Sequence, residues 1–261
     1  MSRTYVVTGA ASGIGKATTE RLRADGHTVI GVDIKDTDVI VDLTTADGRT
    51  TLVHEVSQRS GGRIDAVIAV AGLVAPIPAT VGVNYFGAKA TLEGLRPLLV
   101  GSDAPRAVVV ASLAALEETD DGLYERLLAD DEPGAIAEAE RIGNAANAAG
   151  SSPIYTTTKK AIAQWVRTHA KDPEWAGAGI ALNAIAPGVI ETPMTAPALQ
   201  TAEGRAALDA GAPSPLNGPA APPSAPAALL TWLASAENTH VTGQIVFIDG
   251  GAESIRRPEL V

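Results

Sequence analysis

Short, unbroken apolar runs rich in Val, Ile and Ala alternate along the chain with longer stretches in which apolar residues return every three or four positions. The runs at Thr4–Thr8, Thr28–Asp33, Val39–Val41, Asp65–Val70, Arg106–Ala111, Gly179–Ile185 and Gln244–Ile248 are expected to be strands. They lack the in-out alternation of a half-exposed strand, so both faces of their sheet should be covered. Helical periodicity falls at about 13–24, 45–59, 81–99, 152–171 and 224–235. Strand and helix in strict succession predict βαβ units. The whole chain, 1–261, therefore reads as one doubly wound α/β domain with a seven-stranded, mostly parallel sheet and helices on both faces.

Two segments break the alternation. Residues 117–150 are acidic and end in an Ala/Asn/Gly-rich tract at 143–152, which predicts a surface excursion. Residues 187–226 hold nine of the seventeen prolines. So long a connection, leaving from a strand end, is expected to form a substrate lid at about 189–223, because open α/β sheets bind ligands beyond the ends of their strands.

Composition narrows the chemistry. There is no cysteine, which excludes disulfides, thiolate metal sites and a cysteine nucleophile. The four histidines are scattered without metal-ligand spacing, so no metal is expected. Net charge is −10, and the stretch 117–141 carries ten acids against two arginines, which is −8 of that total. Such a surface repels nucleic acid. Residues 66–83 contain no charged side chain, but two glycines and two prolines break any spanning helix there. With no basic-then-apolar leader before Thr4, a cytoplasmic protein without a membrane anchor is expected.

The first strand runs into Gly9-Ala10-Ala11-Ser12-Gly13-Ile14-Gly15 and then a helix. Glycines there allow close backbone approach, and the helix start offers unpaired N–H groups to a pyrophosphate. Gly9, Ser12, Gly13, Ile14 and Gly15 are the expected cradle of a dinucleotide. Asp33, at the end of the second strand, stands where a carboxylate grips the adenosine ribose and repels a 2′-phosphate. No arginine sits beside the glycine turn or just after Asp33, which favours NAD over NADP. Farther on, Tyr155 and Lys159 lie one helical turn apart, separated by three threonines that helix propensity alone does not favour. A phenol serves as an acid near neutrality only if its pKa falls by about three units, which needs about 4 kcal/mol. A cation at ~4 Å with an effective dielectric of ~20 supplies that order. Lys159, with the charge of an oxidised nicotinamide, is the expected source.

The residues Thr8-Gly9-x-x-x-Gly13-Ile14-Gly15, Asp33, Asp42, Ala71-Gly72, Asn84, Ser112, Tyr155-x-x-x-Lys159, Pro187-Gly188, Thr192 and Ile248-Asp249-Gly250-Gly251 occur in one order over nearly the whole chain. In this the sequence resembles the short-chain dehydrogenase/reductase family. The resemblance implies a Rossmann-type fold and an NAD-dependent oxidoreductase that interconverts a secondary alcohol and a ketone. It makes Tyr155 the proton donor or acceptor, and Ser112 the group that orients the substrate oxygen. It gives Lys159 the nicotinamide ribose, and Asn84 a water that relays protons to Lys159. Asp42 with Leu43 would meet the adenine, Ala71 and Gly72 would line the cofactor, and Thr192 with the backbone of Pro187, Gly188, Val189 and Ile190 would meet the carboxamide. Two departures stand out. Val70 replaces the family's Asn before Ala71-Gly72, which is expected to weaken local sheet bonding, and 117–150 is an insertion between Ser112 and Tyr155. That insertion is similar to one in the bacterial 3α-hydroxysteroid dehydrogenase/carbonyl reductase branch, which implies a homodimer and a small hydrophobic ketone or secondary alcohol as substrate. A terpenoid or small alicyclic alcohol is the alternative substrate, and a non-catalytic nucleotide-binding scaffold the alternative function.

Overall fold

The computed structural model describes residues 2–145 and 151–259. Seven strands, β1 (Thr4–Thr8), β2 (Thr28–Asp33), β3 (Val39–Ile40), β4 (Ala66–Ala69), β5 (Arg106–Val110), β6 (Ala181–Pro187) and β7 (Ile245–Ile248), form one sheet in the order β3-β2-β1-β4-β5-β6-β7. Every pairing is parallel. The strand order reverses between β1 and β4, and a crevice opens at the carboxyl ends of strands at such a switch point.

The helices are α1 (Gly13–Ala24), α2 (Ala46–Ser60), α3 (Pro78–Val81), α4 (Ala88–Leu99), α5 (Asp121–Leu128), α6 (Glu132–Ile142), α7 (Pro153–His169), α8 (Ala196–Leu199), α9 (Ala202–Gly211), α10 (Ser224–Leu233) and α11 (Ala252–Arg256). A π-helical turn, Gly82–Gly87, joins α3 to α4, so that helix starts three residues earlier than its periodicity predicts, at Pro78. The pleat sorts the core. Val6, Val67, Ala107 and Val109 point to the side covered by α2, α4 and α7, whereas Tyr5, Val7, Ile68 and Val108 point to Leu22 of α1 and Leu230 and Leu233 of α10.

Three expectations need correction. The sixth strand starts at Ala181 rather than Gly179, because Gly179 is left-handed (φ 74°) and Ile180 N–H donates to the Trp175 carbonyl to close a turn. Val70 does not weaken the sheet there: the Thr8 hydroxyl accepts from both Val70 N (3.0 Å) and Ala71 N (3.1 Å). The acidic insertion is no solvated excursion. Its helices α5 and α6 bury Leu123, Leu127, Ala135 and Ala139 completely in the main core. The acids are spent at helix starts and in ion pairs: Asp120 and Asp131 cap α5 and α6, and Asp130 and Glu132 pair with Lys89 and Arg49 of the body. Of the tract predicted at 143–152, residues 146–150 lie outside the described residues. Trp165 and Trp175 meet edge to face at 6.0 Å in the core, while Trp232 is largely exposed on α10.

Among the described residues, no helix is long and apolar enough to cross a membrane, and no group of three or more His, Asp or Glu is placed to hold a metal ion. The uncharged stretch 66–83 is β4, a loop, α3 and the first residues of the π-turn.

Candidate active site

The glycine turn after β1 forms one wall of a cleft of about 830 Å³ at the switch point. Gly9 and Gly13 take positive φ (68° and 52°), and a Cβ on Gly15 would stand 2.2 Å from the Gly9 carbonyl oxygen, so only glycine fits. Ser12 precedes α1 in extended conformation and makes no side-chain cap, leaving that helix start open towards the cleft. Gly9, Ser12, Gly13, Ile14 and Gly15 all line it. Uncapped N–H groups, glycine-only backbone and a dipole end together suit a pyrophosphate.

Asp33 lies beside this turn, its carboxylate accepting from Ala11 N (2.9 Å) and Ile34 N (2.7 Å). Asp42 accepts from both the Thr44 N–H and hydroxyl (2.9 and 2.7 Å), and Leu43 is buried against the π-turn. Asp33, Asp42 and Leu43 stand outside the cleft lining, on the extension that leads past β2 and β3. The donor set fits an adenosine diphosphate half at that end.

The opposite end gathers the proton-transfer candidates. Ser112 leaves β5 in extended conformation, accepts from Ala114 N (3.1 Å) and stands close enough to the Tyr155 hydroxyl to favour its ionised form. Lys159 is buried, donates from Nζ to the Val110 carbonyl (2.9 Å), and lies 5.8 Å from the Tyr155 ring centroid. All three side chains line the cleft. Burial lowers the Lys159 pKa to about 8. The Tyr155 phenol is pushed up, not down: burial dominates, the Ser112 hydrogen bond opposes it, and the Glu117 charge adds to it. In the protein alone, Lys159 thus does not produce the expected acidic phenol. Its ammonium is held over the ring, bonded to a carbonyl.

The three threonines between Tyr155 and Lys159 are fully buried, and each hydroxyl is bonded. Thr156 donates to the Glu118 carbonyl (2.8 Å), Thr157 accepts from Asp120 N (3.0 Å), and Thr158 accepts from Asn84 Nδ2 (3.2 Å). They clamp α7 to the insertion on one side and to the π-turn on the other, which explains poor helix formers at these positions. Asn84 is buried, and its amide closes a two-way bond with Leu73, accepting from its N–H and donating to its carbonyl, both at 2.8 Å. Its side chain thus bridges the Leu73 backbone and Thr158 of α7. Gly72 lets Asn84 and Lys159 approach, since a Cβ there would stand 3.0 Å from Asn84 Oδ1 and 3.5 Å from Lys159 Nζ. Ala71 and Gly72 line the cleft; Asn84 stands behind them.

The third wall follows β6. Gly188 passes so close to Asp249 that a Cβ would be 2.9 Å from its Cα, and Asp249 in turn accepts from Gly251 N and Glu253 N at the start of α11. Pro187, Gly188, Ile190 and Thr192 line the cleft, whereas Val189 turns its carbonyl to Ala221 N (3.0 Å). Glu191 N–H donates back to the Ala221 carbonyl (2.9 Å), which ties both ends of the long loop together. Between them α8 and α9 bury no side chain. Of the loop's apolar residues, Ile190 and Met194 face the cleft while Leu199 does not line it and Leu216 is 75% exposed. Sequence reasoning missed Leu73, Val110, Ala111, Pro193 and Thr195 on the lining. Thr195 alone carried a signal, as a hydroxyl three residues after Thr192, and it bonds both Thr192 N and the Ile190 carbonyl.

Comparison with known proteins agrees with this geometry. Residues 3–122 match the family described as short chain dehydrogenase, and residues 123–253 match a second described as enoyl-(acyl carrier protein) reductase. The chain is 35% identical over 256 residues to the 3-alpha-hydroxysteroid dehydrogenase/carbonyl reductase of Comamonas testosteroni, covering 97% of each protein. It is 31% identical to the short-chain reductase protein NovJ of Streptomyces niveus, covering 94% and 92% respectively. The solved structure of the 3-alpha-hydroxysteroid dehydrogenase from Pseudomonas sp. B-0831 complexed with NADH superposes with a TM-score of 0.86 at 34% identity, covering 99% of this chain and 100% of that one. With the sheet order, the cleft and the matches in agreement from end to end, the chain belongs to the short-chain dehydrogenase/reductase family of oxidoreductases.

Proposed function

We propose that this protein is an NAD(H)-dependent oxidoreductase interconverting a small hydrophobic ketone and its secondary alcohol, with an alicyclic or steroid-like substrate. The observation that carries the reading is the meeting of Ser112, Tyr155 and Lys159 in one cleft with the glycine turn. A bound nicotinamide cofactor supplies the hydride. The chain's own residues do the rest. The Gly9–Gly15 backbone and the start of α1 hold the pyrophosphate, Asp33 the ribose and Asp42 with Leu43 the adenine. Ser112 orients the substrate oxygen, Tyr155 gives or takes the proton, and Lys159 holds the second ribose.

Asp33 supports NAD over NADP, because a 2′-phosphate would meet its carboxylate and no arginine stands just after it in the sequence. The hydrophobic substrate rests on the apolar lining of Leu73, Val110, Ala111, Ile190 and Met194 and on the named relatives. The same reading makes the protein a homodimer, for which the edge strand β7, with four half-buried side chains, offers a surface. Following NADH absorbance against a panel of ketosteroids, alicyclic ketones and terpenoid ketones tests it. Saturable oxidation with the first two classes is expected. Tight NADH binding with no turnover on any ketone would leave a nucleotide-binding scaffold instead.

A further inference from the structure

The acidic insertion meets the body of the protein at the Arg49 guanidinium. Arg49, in the first turn of α2, has a side chain only 12% exposed and forms a two-pronged pair with Glu132 at the start of α6, Nη1 to Oε2 at 2.7 Å and Nη2 to Oε1 at 2.5 Å. The same group donates from Nε to the Leu43 carbonyl (2.8 Å) and from Nη2 to the Thr44 carbonyl (3.1 Å). Those carbonyls belong to the loop whose Asp42 carboxylate is fixed by the Thr44 N–H and hydroxyl. The loop also lies directly on the π-turn. A Cβ on Gly87 would stand 3.0 Å from the Leu43 oxygen, and one on Gly82 would stand 3.2 Å from Thr44 Cβ. Asn84 is part of that turn. Beside this contact Lys89 pairs with Asp130 at 2.6 Å, which fastens the turn between α5 and α6 at a second point.

A guanidinium this enclosed needs a carboxylate. Without Glu132 it would be drawn towards water, and the two loop carbonyls would lose their donors. We infer that Glu132 of the insertion is a positioning residue for cofactor binding: through Arg49 it sets the 42–45 loop against which the adenine half of the dinucleotide rests. This rests on the NAD reading above. It gives the insertion a part in the site although none of its residues lines the cleft. Bidentate geometry matters here, since one planar fork must reach two carboxylate oxygens and two backbone carbonyls at once.

The test is a fluorescence titration of the full-length protein with NADH, and with AMP as a competing probe of the adenine half. Glu132→Gln should raise the Kd of both about tenfold, the order by which an interaction one step removed from a site shifts binding. The ketone KM at saturating NADH should stay unchanged. Glu138→Gln, which removes an exposed pair with Arg141 on the same helix, should leave both Kd values at the wild-type level. If Glu132→Gln fails to fold, Glu132→Asp carries the test: it keeps the charge but is too short for both prongs, and AMP binding should weaken in proportion to NADH. Wild-type Kd values for NADH and AMP in either folded variant, even with a lowered melting temperature, would reduce Glu132 to a structural contact and overturn the inference. A wild-type protein that binds neither probe would overturn the NAD reading itself.

Discussion

Replacing Lys159 with Met should make the protein more stable and inactive. The amine is 5% exposed and has one protein acceptor, the Val110 carbonyl. Its pKa falls from 10.5 to about 8, with burial as the cause. Since the folded pKa lies below the unfolded one, the unfolded chain holds the proton more tightly. The penalty on the folded state is therefore fully present below pH 8 and fades as pH rises towards 10.5. At ~1.4 kcal/mol per pKa unit it amounts to about 3 kcal/mol at pH 7. Methionine keeps the volume without the charge, but forfeits a hydrogen bond of ~1 kcal/mol. Lys159→Met should thus gain about 2 kcal/mol at pH 7 and close to nothing at pH 9.5, where the wild type has recovered most of the penalty. Urea unfolding of both proteins at the two pH values measures the difference, and turnover assays accompany it. A Met variant less stable than wild type at pH 7, or a gap of equal size at both pH values, would show that the buried amine carries no such penalty. A charge retained at such a cost is the mark of a group kept for chemistry.

Three other outcomes are expected. Asp33→Ala should lower the NAD/NADP preference measured as a ratio of kcat/KM, and an unchanged ratio would remove Asp33 from the ribose site. Gly15→Ala, whose methyl would stand 2.2 Å from the Gly9 oxygen and 2.6 Å from its carbon, must displace backbone; a stability loss of ~1–3 kcal/mol and weakened NADH binding should appear together in thermal melts and titrations. Thr158→Val leaves one Asn84 N–H without its acceptor in the core and should cost ~1–3 kcal/mol, read by urea unfolding.

Much of this was legible in the chain because parallel strands buried on both faces are short and uniformly apolar. β1, β2 and the core of β4 and β5 fall where the runs of Val, Ile and Ala place them. The first turn was legible because few residues tolerate its backbone, as the approach of Gly15 to Gly9 shows. The insertion was misread because charge masked a second pattern: Leu123, Leu127, Ala135 and Ala139 recur at helical spacing beneath the acids, and the acids find Arg49 and Lys89 only once the chain is folded. Thr156, Thr157 and Thr158 looked out of place by propensity, and their acceptors and donors at Glu118, Asp120 and Asn84 lie 37 or more residues away. The direction of the Tyr155 shift was equally out of reach. Spacing puts Lys159 on the same face, but it says nothing of how deeply the phenol is buried or that Glu117 stands near it.

The proposed activity depends on proton transfer by the Tyr155 hydroxyl, which shares the cleft with Ser112 and Lys159. Comparing Tyr155→Phe with wild type measures this most directly, with NADH consumption on the best ketone substrate and NADH affinity determined on the same samples. A fall in kcat of about 10³-fold or more with an unchanged NADH Kd is expected. Turnover within a few-fold of wild type, with NADH still bound, would contradict it.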